Sequence, residues 1–304
     1  MNTVSLLFPD FALILIGAIL FRITNWGAEF WSGAEKLVYF VLFPALLFYS
    51  TARTPLHFDT TGTMVLLGTL STLSAIALTW LGRPLLRGQA RKVPDQPLQY
   101  ECGMQTAFRF NSYIALALTS RLAGEQGAGY AALLIGFGVP LCNMAAVHSM
   151  VQKDGHLFRE LARNPLLLAT AGGLLFNLLG FTIPEMAGAV FSRMGNAAVA
   201  VGLLLVGAGL RLSGMHQGKA ISAYFITIKL MILPAVAYVL ARYAGLPLLQ
   251  LQILVLFCGL PTASSAYILA ARMGGNGPLV AFQISAGTLL SALTLPFWLW
   301  VVEA

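Results

Sequence analysis

The chain has 304 residues, 58% of them hydrophobic and only 10% charged, and its mean hydropathy is +0.80. A soluble domain carries roughly a quarter charged residues, so this composition excludes a water-soluble globule and makes lipid the solvent. Eighteen Lys and Arg against 11 Asp and Glu give a net charge of +7. The loop pattern below explains that charge as a topology signal, without nucleic-acid binding.

A helix needs about 17 to 25 apolar residues to cross hydrocarbon. Ten such stretches lie between charged or turn-forming breaks: Val4–Phe21, Leu37–Ala52, Thr61–Leu81, Met104–Ser120, Gly127–Val151, Pro165–Gly180, Met186–Leu210, Ala220–Leu240, Leu249–Ala271 and Pro278–Val302. Runs such as Leu37–Ser50 and Val199–Leu210 are apolar on every face, which excludes the alternation of a lipid-facing barrel. The first stretch has no basic leader and no small-residue cleavage site, so it reads as a retained span. Twelve Lys and Arg fall in the alternate loops that begin with Arg22 and Lys36, and four (Arg53, Arg121, Arg193 and Arg242) in the others. That bias predicts a multi-pass protein of a bacterial inner (cytoplasmic) membrane with both termini outside. Cys102, Cys142 and Cys258 show no metal spacing and read as ordinary thiols.

Ten spans divide into five and five around the basic segment Gln152–Asn164. An odd number per half sends the second half into the membrane from the opposite side, the arithmetic of an inverted repeat. The expected fold is therefore all-α and polytopic, with a first repeat over 1–151 and a second over 165–304. The fourth span carries Phe108-Arg109-Phe110-Asn111-Ser112-Tyr113 and the ninth carries Gly259-Leu260-Pro261-Thr262-Ala263-Ser264-Ser265. Matching irregularities in two inverted halves point to a transport site at mid-membrane, although Pro261 read alone also suits a plain kink.

Several stretches in order carry a family resemblance: Lys36 to Phe48 (KLVYFVLFPALLF), Arg109 to Leu116 (RFNSYIAL), Gly138-Val139-Pro140-Leu141-Cys142-Asn143, Asn164-Pro165, Gly195-Asn196-Ala197-Ala198, and Leu260-Pro261-Thr262-Ala263. Over essentially its whole length the chain resembles a bacterial member of the auxin efflux carrier family, within the bile-acid/auxin transporter superfamily. The resemblance implies a ten-helix, NhaA-like inverted-repeat fold in which helices 4 and 9 are broken and cross where an organic anion binds. One departure is Ala117, where many members have a proline; this leaves the fourth-helix break to Asn111, Ser112 and their packing.

The residues support a similar chemistry on their own. Of the eleven acids only Asp10 lies inside an apolar stretch, near its end, whereas a cation exchanger usually keeps carboxylates deep in the bilayer. Asp10 reads as an interfacial residue or as a coupling group. Arg109 and Asn111 would offer a guanidinium fork and an amide to a carboxylate; equally, Arg109 is near enough to the inner interface to snorkel. Lys229 lies too deep for its stem, so a water-filled cavity or a backbone carbonyl must receive it, and contact with substrate is a further reading. Tyr113, Asn143, Asn196 and Gln283 complete the candidate set, with interhelical bonding the alternative for the amides. Thr262, Ser264 and Ser265 follow Pro261, where a freed helix end would present N–H groups to an anion. His148 and His156 sit at the inner boundary without an assigned role.

The sequence thus reads as a secondary transporter for a small organic anion, a mono- or dicarboxylate or an auxin-like acid, working by alternating access in efflux or facilitated movement. A sodium-coupled anion symporter of the bile-acid type is the alternative. Partners are the anion and the lipid bilayer, with a homodimer left open and nucleic acid excluded; no cofactor or metal is expected. An enzyme is disfavoured, since there is no HExxH pair, no intramembrane carboxylate dyad and no Ser with His at membrane depth.

Overall fold

The computed structural model describes residues 3–53, 58–90, 99–150, 165–210, 218–263, 265–272 and 275–303. Among these residues every regular element is helical. This is the solution lipid imposes, because a helix satisfies its own backbone N–H and C=O groups where no water can. In chain order the elements are α1 (Thr3–Ile23), α2 (Ala28–Leu37), a π-helical turn (Val38–Leu42), α3 (Phe43–Arg53), α4 (Phe58–Ala90), α5 (Gln99–Met104), a 3₁₀ turn (Gln105–Ala107) and α6 (Ser112–Met150). They continue with α7 (Pro165–Leu178), α8 (Glu185–Ala208), α9 (Lys219–Thr227), a second π-turn (Ile228–Ile232), α10 (Leu233–Tyr243), α11 (Leu248–Gly259), α12 (Ser265–Arg272) and α13 (Gly277–Glu303).

Six stretches among the described residues are long and apolar enough to span a bilayer: Ala28–Arg53, Thr61–Pro84, Gln99–Met150, Glu185–Ala208, Lys219–Tyr243 and Gly277–Glu303. Leu168–Leu178 and Leu248–Gly259 are apolar but shorter. The sequence suggests ten, and local breaks account for part of the difference. Gln99–Met150 would be about 78 Å long as one helix at 1.5 Å per residue, more than twice a hydrocarbon core of about 30 Å. It leaves helical geometry at Phe108–Asn111 and again at Ala123 and Gly124. Gly124 has φ +57, a left-handed conformation that costs glycine little and other residues more.

The two π-turns have a shared cause. Each is followed, after one residue, by a proline: Pro44 and Pro234. Proline cannot donate to the preceding turn and its ring presses on the carbonyl four residues back, so the wider winding relieves the clash. At the second turn the released Leu230 carbonyl accepts the indole N–H of Trp298 at 2.9 Å.

The chain forms two compact units, each built from non-contiguous segments. The first comprises Met1–Thr61, Ser112–Phe137 and His156–Gly209; the second comprises Gly62–Asn111, Gly138–Gly155 and Leu210–Ala304. In the first, α1 and α8 pack backbone to backbone. A Cβ on Gly17 would lie 2.1 Å from the Leu204 carbonyl oxygen, and one on Gly207 would lie 1.8 Å from that of Ile14. With no hydrophobic drive between helices in lipid, such close approach through small residues supplies the packing. In the second unit a continuous apolar core is formed along α11 by Ile253 to Phe257, with Leu279 and Leu299 of α13 also buried. Large apolar side chains remain exposed in both, among them Leu15, Phe40, Leu81, Leu293 and Trp300, an outer surface suited to lipid rather than water.

Candidate functional site

Two chain interruptions lie side by side within the second unit. Residues 108–111 stand between the 3₁₀ turn and α6, and residues 260–263 follow α11. The Asn111 main-chain N–H donates to the Pro261 carbonyl at 2.8 Å. Thr262 Oγ1 donates to the Thr106 carbonyl at 2.6 Å. A helix end leaves carbonyls without intrahelical donors, and each interruption here supplies a donor or acceptor to the other.

The segment around Arg109 is fixed by its neighbours in sequence. Phe108 and Phe110 are buried while Arg109 between them is half-buried. The Phe110 ring packs onto Gly138, where a Cβ would lie 2.8 Å away, and against Phe257 with centroids 4.4 Å apart. Cys142 Sγ donates to the Phe108 carbonyl at 3.3 Å. This packing draws the segment onto the second half of α6. There the Arg109 guanidinium donates to Asn143 Oδ1 at 2.6 Å and to Gln105 Oε1 at 3.0 Å. Both of these acceptors are neutral amide oxygens, and they orient the fork.

Gln105 is the organising residue that sequence reading missed. Its amide nitrogen donates to the Cys102 carbonyl and to the Ala266 carbonyl of α12, both at 3.1 Å. One side chain thus connects the Arg109 guanidinium to the helix after the second interruption. Its position four residues before Arg109 is the available signal, because side chains at that spacing meet along a helical turn. Beside it, Thr106 Oγ1 shares its proton between the Gly103 carbonyl at 2.7 Å and Gln283 Oε1 at 3.2 Å, and Gln283 Nε2 donates to Ser222 Oγ at 3.2 Å. Gln283 is therefore held in interhelical bonding.

Residues 149–299 match the family model of the membrane transport proteins. That match is consistent with the auxin efflux carrier family. A Rhizobium meliloti (strain 1021) protein named "Putative malonate transporter" is 25% identical over 311 residues, covering 99% of this chain and 96% of that protein. A Methanothermobacter thermautotrophicus (strain Delta H) protein named "Uncharacterized transporter" is 25% identical over 300 residues, covering 94% of each chain.

Lys229 projects from the second π-turn, is 3% exposed, and donates through Nζ to the Cys258 carbonyl at 2.9 Å. Of the two surroundings the sequence allows, cavity or carbonyl, the structure has the carbonyl. Tyr113 and Asn196 belong to the first unit. The Tyr113 ring packs on Phe43 with centroids 4.4 Å apart and lies over Gly202, while Asn196 is exposed on α8. Ser265 is exposed at the start of α12, and Ser264, like His156, lies outside the described residues. Asp10 is buried and accepts from Arg121 Nε at 3.1 Å, so a local ion pair occupies it. Glu101, which sequence reading placed outside the spans, is also buried and pairs with Arg83 at 3.0 Å. All three cysteines are buried free thiols.

Proposed function

We propose that this carrier moves a small organic anion across the cytoplasmic membrane by alternating access, with the two interrupted segments as its binding site. The observation that carries the reading is Arg109. Its guanidinium, held by the neutral oxygens of Gln105 and Asn143 beside the Asn111–Pro261 bond, offers a pre-oriented charged fork of the kind that matches a carboxylate. Thr262 ties the same break to the Thr106 carbonyl, and Lys229 adds a second buried positive group. Asn111, Pro261 and Gln283 frame the site. A dicarboxylate the size of malonate is the first substrate to try, given the name of the Rhizobium meliloti relative.

The proposed topology is ten spans in two inverted halves, 1–151 and 165–304, with both termini outside. Interrupted segments within two otherwise apolar spans support it. In an inside-negative membrane, export of an anion is downhill by about 2.3 kcal/mol per charge per 100 mV, so efflux or facilitated movement needs no coupled ion.

Counterflow of labelled malonate and other short organic acids in proteoliposomes tests the proposal. Saturable, trans-stimulated exchange that is lost in Arg109→Ala supports it. Exchange unchanged in a correctly folded Arg109→Ala protein would remove the site. A sodium-coupled symporter is the competing reading, since backbone carbonyls at helix breaks can hold a cation without a carboxylate.

A further inference from the structure

We propose that Lys229 is a built-in cation: its ammonium fills, at the C-terminal end of α11, the place where a coupled sodium ion would otherwise be held, and so makes the carrier independent of sodium. The proposal rests on the reading of the interrupted segments as the transport site, and it addresses which ion, if any, that site needs.

The chain geometry comes first. α11 ends at Gly259, and Leu260 turns to an extended conformation with ψ 143. The last carbonyls of the helix then lack donors from a following turn, and the helix end carries roughly half a negative elementary charge. In secondary transporters such half-helix C-termini and unwound carbonyls are where sodium or a proton is coordinated. Here the Cys258 carbonyl, one residue from the end of α11, receives Lys229 Nζ at 2.9 Å.

Lys229 is placed there by a specific distortion. It lies within the Ile228–Ile232 π-turn, which precedes Pro234, and Trp298 satisfies the adjacent Leu230 carbonyl. Among the described residues no carboxylate pairs with Lys229. A buried charge without a counter-ion is costly unless something else receives it, and the helix end does so. A tethered ammonium also differs from a bound ion in that it cannot leave with the substrate, so it stabilises the break through the whole transport cycle and contributes nothing to ion coupling.

The test uses purified full-length protein and thermal unfolding at constant ionic strength in choline, sodium, potassium or methylammonium chloride, with no organic anion present. Wild type should melt at the same temperature in all four salts. Lys229→Ala should melt lower in choline and recover saturably in sodium or methylammonium, because a ligand that binds only the folded state raises its stability by mass action. Lys229→Arg should remain salt-independent. A saturable sodium-dependent rise in wild type would overturn the proposal, as would a Lys229→Ala protein that no monovalent cation recovers, or one as stable as wild type in choline. If Lys229→Ala does not fold, Lys229→Arg and Lys229→Met decide: Met, which fills the space without charge, should be the less stable, and equality of the two overturns the idea. Because no anion is used, failure of the organic-anion reading would appear only in the counterflow assay and leave this result readable.

Discussion

The main-chain N–H of Asn111 donates to the carbonyl of Pro261 at 2.8 Å, joining residues from opposite halves of the sequence. Both groups would be consumed inside a continuous helix. Each is available because its own chain has left helical geometry, so the two interruptions stabilise one another.

Pro261→Ala should therefore disturb more than a kink. The carbonyl survives the substitution, but alanine supplies an N–H and the best helix propensity, allowing α11 and α12 to fuse. Counterflow should fall at least about tenfold, equivalent to about 1.4 kcal/mol on the limiting barrier, while membrane insertion persists. Full activity in Pro261→Ala would argue that the break has no role in transport.

Arg109→Ala should weaken anion binding at least about tenfold, or about 1.4 kcal/mol, in isothermal titration or thermal-shift titration. Arg109→Lys should recover only part of the loss, because a point charge cannot hold Gln105 and Asn143 in the same fork. Equal affinity for wild type and Arg109→Ala would leave the guanidinium a structural role alone.

Trp298 and Pro234 should be energetically coupled. Trp298→Phe removes the donor to the Leu230 carbonyl, and a buried unsatisfied acceptor costs about 1–3 kcal/mol. Pro234→Ala restores a backbone N–H to the same turn. In a double-mutant cycle read by thermal unfolding, Pro234→Ala should offset part of the Trp298→Phe loss. Strict additivity would show that the two residues do not share that carbonyl.

Gly207→Ala should destabilise the first unit. Its Cβ would fall 1.8 Å from the Ile14 carbonyl oxygen, and backbone cannot rotate aside as a side chain can. A loss of about 1–3 kcal/mol or more is expected from such overpacking, visible as a lower melting temperature. Gly33→Ala, with open space at the added Cβ, is the control.

A cysteine placed in Gln152–Asn164, a segment outside the described residues, should react with an impermeant thiol reagent only from the cytoplasmic side. The background would lack Cys102, Cys142 and Cys258. Labelling from outside in intact cells would reverse the positive-inside orientation.

Composition and patterning alone determined that this chain is helical, apolar on its outer surface and built for lipid, because a bilayer permits few ways to satisfy a backbone. Arg109, Lys229 and Pro261 also stood out in the sequence, since charge and proline within apolar runs are locally costly and need a reason. Their pairings did not stand out. That Arg109 would be held by Asn143, that Lys229 would settle on the Cys258 carbonyl, and that Glu101 would be buried against Arg83 all depend on residues well separated in sequence. Local periodicity carries no term for such contacts. The two π-turns show the same division: Pro44 and Pro234 announce that helical bonding must fail nearby, but only tertiary packing brings Trp298 to the carbonyl that the failure exposes, because hydrogen-bond partners for released backbone groups are chosen by whichever helix lies against them.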